Sequence, residues 1–268
     1  MNETLTRTLS GAVYVALLVF CTLFSSVSFY IIFTIFMCLS IFEFSKMTNY
    51  KYPYIFIGLG TLLALAVFIA PPSPIQFTYI CIGCFLYNLL LITNLFKNKS
   101  FTQHHKTYSH LFLYVTLPFI LLLLLPNFKS PPEYKIVISV FILIWCNDTF
   151  AYLVGKTWGK TKLLERVSPK KTREGFIGGL LFTLLAGLVI SYYFTFFNVT
   201  LWLVTAILVS IFGTIGDLVE SKFKREAGIK DSGNIMPGHG GILDRLDSVI
   251  FVTPFIYLFY LIYFYYVS

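Results

Sequence analysis

Long apolar stretches separated by short polar breaks run through this chain from end to end. A helix needs about 20 residues to cross roughly 30 Å of hydrocarbon. That length divides the sequence into nine candidate spans, near residues 9–25, 27–45, 54–70, 74–96, 108–126, 134–155, 175–197, 199–220 and 243–267. Only Ser25, Ser26 and Ser28 separate the first two, inside an apolar run too long for one helix. Pro71-Pro72-Ser73-Pro74 and the segment from Pro126 to Pro132 signal turns. The predicted fold class is all-α: a polytopic integral membrane helical bundle of about nine transmembrane helices. Residues 1–130 would carry spans one to five, and residues 131–268 spans six to nine with two basic loops.

Composition agrees and charge adds a direction. Hydrophobic residues make up 57% of the chain and charged residues 12%, with a mean hydropathy of +0.79, where a soluble domain carries about 25% charged residues. The first apolar run continues past any small-residue cleavage site into the second, so it reads as a membrane helix and not as a removed signal. Lys and Arg gather in cytoplasmic loops. With a cytoplasmic N-terminus the inside segments hold Arg7; Lys46 and Lys51; Lys97, Lys99 and Lys106; seven basic residues from Lys156 to Arg173; and Lys222, Lys224, Arg225, Lys230 and Arg245. Of the 20 basic residues only Lys129 and Lys135 fall on the other side. The net charge of +8 therefore reports topology before binding, and makes no case for nucleic acid. The five cysteines all sit in apolar stretches and read as small hydrophobes. Cys81 and Cys84 form a C-x-x-C without further ligands at zinc spacing.

The acidic residues carry the chemistry. Five of the twelve, Asp148, Asp217, Glu220, Asp244 and Asp247, fall at the expected cytoplasmic ends of spans six, eight and nine. An ionised carboxylate in mid-membrane costs about 2.5–3.5 kcal/mol on insertion scales, so these groups must lie near the interface, be paired, or hold a cation. Residues three or four apart share a helix face. Asp217, Glu220 and Ser221 form one face, and Asp244 and Asp247 another. Brought together, such carboxylates need neutralising, and an all-oxygen set suits Mg²⁺; ion pairs with Arg225, Arg245 and Lys230 are the alternative.

Between the two faces lie Lys230-Asp231-Ser232-Gly233 and Pro237-Gly238-His239-Gly240-Gly241. Glycines let backbone N–H groups approach phosphate oxygens, and a following helix N-terminus favours an anion. A second polar run passes from Asp148-Thr149 through Gly155-Lys156 and Gly159-Lys160 to Ser168-Pro-Lys170-Lys171-Thr172-Arg173-Glu174-Gly175. It reads as a substrate contact, or as an anchor attracting anionic lipid. Glu43 is expected to pair with Lys46 by helix spacing, and His104, His105 and His110 to be loop residues.

Ser221-Lys-Phe-Lys-Arg225, Lys230-Asp231, Pro237-Gly-His-Gly-Gly241 and Asp244-Arg-Leu-Asp247 together resemble the signature of the phosphatidate cytidylyltransferase (CDP-diacylglycerol synthase) family. The resemblance extends upstream through Asp148-Thr149, Ser168-Pro-Lys-Lys-Thr172 and Glu174-Gly175, and Arg7-Thr-Leu-Ser-Gly11 is similar to the family's start. Met236 stands where the family usually has Leu, Ile or Phe, a conservative departure. The resemblance implies transfer of CMP from CTP to phosphatidate, giving CDP-diacylglycerol and pyrophosphate. It implies a membrane-embedded, metal-dependent homodimer, with Mg²⁺ as the cofactor expected from the oxygen ligands and a second cation left open; the charge partition puts the site at the cytoplasmic face, and the compact chain suggests a bacterial inner membrane. Carried over by position, Asp217, Asp244 and Asp247 become catalytic, with Asp217, Asp244 and Asp148 holding metal. Lys170, Lys171, Glu220, Ser221, Lys224, Arg225, Lys230, Asp231, His239, Gly240, Gly241 and Arg245 become substrate contacts.

The nucleophile would be a phosphatidate oxygen. A phosphomonoester with a second pKa of about 6 is already anionic at neutral pH, so His239 is expected to orient its loop or donate to a phosphate, not to act as a base. Two rivals stand beside this reading. A CTP-dependent lipid kinase would attack through a neutral hydroxyl, need a base and release CDP. A secondary transporter would use intramembrane acids for coupling ions, in two related halves with polar breaks near the midplane.

Overall fold

The computed structural model describes residues 3–101, 107–238 and 240–267. His104, His105 and His239 lie outside them. Among the described residues nine long helices follow one another: α1 Glu3–Phe24, α2 Ser26–Met47, α3 Pro53–Ile69, α4 Thr78–Phe96, α5 Thr107–Phe128, α6 Lys135–Trp158, α7 Arg173–Tyr193, α8 Val199–Glu226 and α9 Leu243–Ile262. Eight of these helical stretches are long and apolar enough to cross a membrane, and α3, at 17 residues, is a shorter apolar helix. The chain is an integral membrane protein with the expected helical architecture.

Local sequence explains the breaks. The serines between the first two spans form a reciprocal cap: Ser25 accepts from the Ser28 N–H, and Ser28 Oγ accepts from the Ser25 N–H. Pro53 opens α3, and the Pro74–Phe77 turn leads into α4. Asn198 caps α8 by accepting the Leu201 N–H at 2.8 Å. Helix α5 contains a widened turn from His110 to Thr116 and is the most enclosed of the long helices.

Contacts at the two ends show that neighbours alternate in direction. At one end the end of α2 meets the start of α9 through Glu43 and Leu243, and the end of α4 meets the polar loop after α6 through Leu95 and Arg166. The end of α8 meets the residues after α4, where Glu226 accepts from the Phe101 N–H. At the other end the start of α2 meets the end of α5 through Tyr30 and Leu123, and Asn198 before α8 donates to Tyr263 beyond α9. Lys129 sits at that second end, 5.3 Å from the Phe197 ring centroid. Lys135 lies there too, 5.9 Å from the Phe194 ring.

The long basic loop holds an unforeseen element. Residues Lys162–Leu164 (β1) and Ser168–Thr172 (β2) pair antiparallel, Lys162 opposite Thr172 and Leu164 opposite Ser168. Glu174, in the first turn of α7, accepts from the Lys160 and Thr161 N–H groups at 3.0 and 3.1 Å and pins the hairpin to that helix. Helices α6 and α7 approach closely because their contact is lined by glycine. A Cβ at Gly178 would overlap Val154, and one at Gly179 would meet the Asn147 amide.

Candidate active site

Helix α8 has 28 residues, about 42 Å at 1.5 Å per residue, against roughly 30 Å of hydrocarbon. Its last turns, from Asp217 onward, therefore reach the interface. There they meet the end of α6, the hairpin, the start of α7, the Gly-rich segment and the start of α9. A cavity of 720 Å³ opens among these six elements.

Its lining brings together most of the residues singled out by sequence. Asp148 comes from α6, Lys170 and Lys171 from β2, Asp217 and Lys224 from α8, Asp231 from the Gly-rich segment, and Asp244, Arg245 and Asp247 from α9. Lys156, from the second polar run, and Lys162, which the sequence does not single out, both join the wall. Asn147 and Thr214 line it from deeper: Asn147 accepts from Ser210 Oγ at 2.7 Å and donates to Thr214 at 3.3 Å, tying α6 to α8 below the cavity. Glu220, Ser221, Arg225, Lys230, Gly240 and Gly241 are not among the lining residues. Arg225 donates to the Ile229 carbonyl at 3.4 Å, and Lys230 is exposed. His239 cannot be placed, because it lies outside the described residues.

Two lysines organise the acids. Lys171 Nζ lies 2.6 Å from Asp217 Oδ2, whose other oxygen accepts from Ser221 at 3.2 Å. Burial works against the Lys171 charge, but Asp217, and beyond it Asp148 and Asp247, hold its pKa above the ordinary lysine value. Lys171 is thus a fixed cation facing three carboxylates. Lys224 pairs with Asp244 at 2.7 Å and with Glu220, whose side chain is 0% exposed. Lys171 and Lys224, not named as ion-pair partners from sequence, thus pair with Asp217, Asp244 and Glu220.

Asp244 is the most heavily engaged acid. Its Oδ2 accepts from the Ser232 N–H at 2.9 Å, Ser232 Oγ at 3.0 Å and the Gly241 N–H at 2.8 Å. Gly240 beside it has φ +84°, and a Cβ there would run into Asp244 Oδ2. The Gly-rich segment is folded around this carboxylate, and its Gly241 N–H points at a side chain of the same chain.

The donor set suits a hard cation. It consists of carboxylate oxygens, and a lysine ammonium already stands among Asp148, Asp217 and Asp247. Among the described residues no three acids close a metal shell by themselves. Mg²⁺ takes one or two carboxylates and completes its shell with substrate phosphates and water.

A second cavity, of 360 Å³, lies between the end of α4 and the start of α5, with Asn94, Lys99 and His110 in its wall and no acid. His110 there is buried, bonded to Tyr87 at 2.7 Å and to the Phe101 carbonyl at 3.1 Å, and is not the loop residue expected.

A protein named phosphatidate cytidylyltransferase from Staphylococcus saprophyticus is 52% identical over 120 residues, 44% of this chain and 46% of the relative. A protein of that name from Staphylococcus aureus strain COL matches equally, and one from Staphylococcus epidermidis is 50% identical over 121 residues, 45% of this chain and 46% of the relative. The chain spans about half the length of the curated relatives it matches. The profile of the cytidylyltransferase family covers residues 5–263, taking in the N-terminal helices as well as the cavity, and the chain belongs to that family.

Proposed function

We propose that this protein is a phosphatidate cytidylyltransferase, transferring CMP from CTP to phosphatidate with release of pyrophosphate. The observation that carries the reading is the 720 Å³ cavity, where five acids and six basic residues meet at helix ends beside the bilayer. CTP is a polyanion held in water, and phosphatidate is held by its acyl chains in a leaflet. A site for both must straddle the interface, and a cavity among helix ends suits that place.

Nucleotidyl transfer is an in-line displacement at the α-phosphorus, so catalysis is positioning together with charge stabilisation. Lys170, Lys171, Lys224 and Arg245 neutralise the triphosphate and the lipid phosphate. Asp217 and Asp244 would hold Mg²⁺, with Asp148 and Asp247 beside them. When bound, the metal supplies Lewis-acid stabilisation of charge on the phosphoryl oxygens. Lys171 and Lys224 hold those carboxylates in place and present positive charge to the phosphates. A phosphatidate oxygen attacks as an anion, so no side chain must remove a proton.

The N-terminus and the cavity face the cytoplasm, in the inner membrane of a bacterium, and two copies associate as a homodimer. The charge partition supports the sidedness, and the bacterial relatives support the membrane. Single cysteines placed at Lys46 or Lys51 should react with a membrane-impermeant thiol reagent only from the cytoplasmic side, and one at Lys129 only from outside. The opposite pattern would overturn the orientation.

The reaction is tested by following label from CTP in purified protein with phosphatidate. Label on the α-phosphate should appear in the lipid and label on the γ-phosphate in pyrophosphate. γ-Label in the lipid with CDP released would mean a kinase, and no turnover with ion-coupled uptake would mean a transporter.

A further inference from the structure

We infer that Glu43 is a positioning residue for this site: through its carboxylate the N-terminal helix α2 holds the Gly-rich segment, and with it Asp244. The inference rests on the reading of the cavity as the nucleotide site. Glu43 is 3% exposed and is not among the residues lining the cavity. It accepts hydrogen bonds from the Leu243 N–H at 2.8 Å, the Ile242 N–H at 3.1 Å and Ser232 Oγ at 3.2 Å. The two amides open α9, whose first N–H groups have no partner within the helix and favour a negative charge.

The link to the site is Ser232. Its hydroxyl lies between Glu43 Oε2 and Asp244 Oδ2, at 3.2 and 3.0 Å, and its N–H donates to Asp244. One hydroxyl proton serves one acceptor at a time, so Ser232 couples the two carboxylates. Close packing fixes the geometry: a Cβ on Gly233 or on Gly241 would run into the Glu43 carboxylate. Helix α1 adds a second hold, with Ser10 Oγ donating to the Pro237 carbonyl at 3.0 Å and the Arg7 stem lying against Gly238. Spans that hydropathy alone describes thereby form the platform on which Asp244 is set.

Glu43→Gln tests this, because it keeps the shape while turning one acceptor into an NH₂ group that faces a backbone N–H. In the purified protein with lipid, hydrogen exchange of the amides from Ser232 to Leu243 should accelerate about 10-fold or more, the factor expected from losing one charge-assisted hydrogen bond. Exchange in the middle of α2 and α8 should stay unchanged, and kcat should fall about 10-fold or more, roughly the same loss. Ser232→Ala should give the same pattern more weakly, and keeps the question answerable should Glu43→Gln not fold. Lys46→Ala should change neither readout. Wild-type exchange across Ser232–Leu243 in both variants would overturn the inference, as would acceleration spread evenly over the bundle. Failure of the wild type to transfer CMP would overturn the functional reading alone, since the exchange measurement stands without turnover.

Discussion

Asp217→Asn and Asp244→Asn are each expected to lower CMP transfer by about 10³-fold or more, at the upper end of what removal of one preorganised charge-stabilising group costs. The amide keeps the shape of the carboxylate and removes its charge. Asp217 lies 2.6 Å from Lys171, and Asp244 binds Lys224 and three donors from the Gly-rich segment, so each sets both a cation and a wall of the cavity. Turnover measured at saturating Mg²⁺ and CTP, with thermal unfolding in the same detergent to confirm the fold, checks the expectation. Activity within about 10-fold of wild type in either variant, less than one charged hydrogen bond is expected to contribute, would remove that carboxylate from the machinery.

Lys224→Met should be among the most destabilising substitutions in the protein, by about 3–5 kcal/mol, because it leaves buried carboxylates without their counter-charge. Glu220 is fully buried, and among the described residues its oxygens have no hydrogen-bond partner beyond the ion pair with Lys224. Adding Glu220→Gln to Lys224→Met should recover a large part of that loss without restoring turnover, since Asp244 would still lack its partner. Denaturation of the single and double variants in one detergent measures the difference. Equal stability of wild type and Lys224→Met would contradict a buried ion-pair network at this place.

Much of the architecture was legible because a membrane imposes a length on each helix and a charge rule on each loop. Ser25 and Ser28 marked the break between α1 and α2, and they do so by capping each other. Lys129 and Lys135 were singled out by charge alone, and they sit together at the far end from the cavity. The gathering of Asp217, Asp244 and Asp247 was legible from helix spacing and that of Asp148 from the family resemblance, whereas Glu220, grouped with them by spacing, does not line the cavity.

What remained hidden depends on contacts between distant segments. Spacing offered Lys46 to Glu43, whereas the chain brings the start of α9 to it from 200 residues away. Lys171 and Lys224, not Arg225 and Lys230, pair with the acids, because a guanidinium or ammonium at the right height in sequence can still point along the interface. The hairpin of β1 and β2 was invisible because strands of three and five residues, Lys-Leu-Leu and Ser-Pro-Lys-Lys-Thr, are too short to show a hydrophobic alternation.

The central claim is that CTP binds in the cavity between the hairpin and the acidic helix ends. A photoreactive CTP analogue, cross-linked to the protein in lipid with Mg²⁺ and phosphatidate and mapped by peptide mass spectrometry, tests it most directly. The account predicts attachment within residues 148–176 and 214–248, lost on competition with CTP. Attachment around Asn94, Lys99 and His110, in the second cavity, with none at the first, would contradict it.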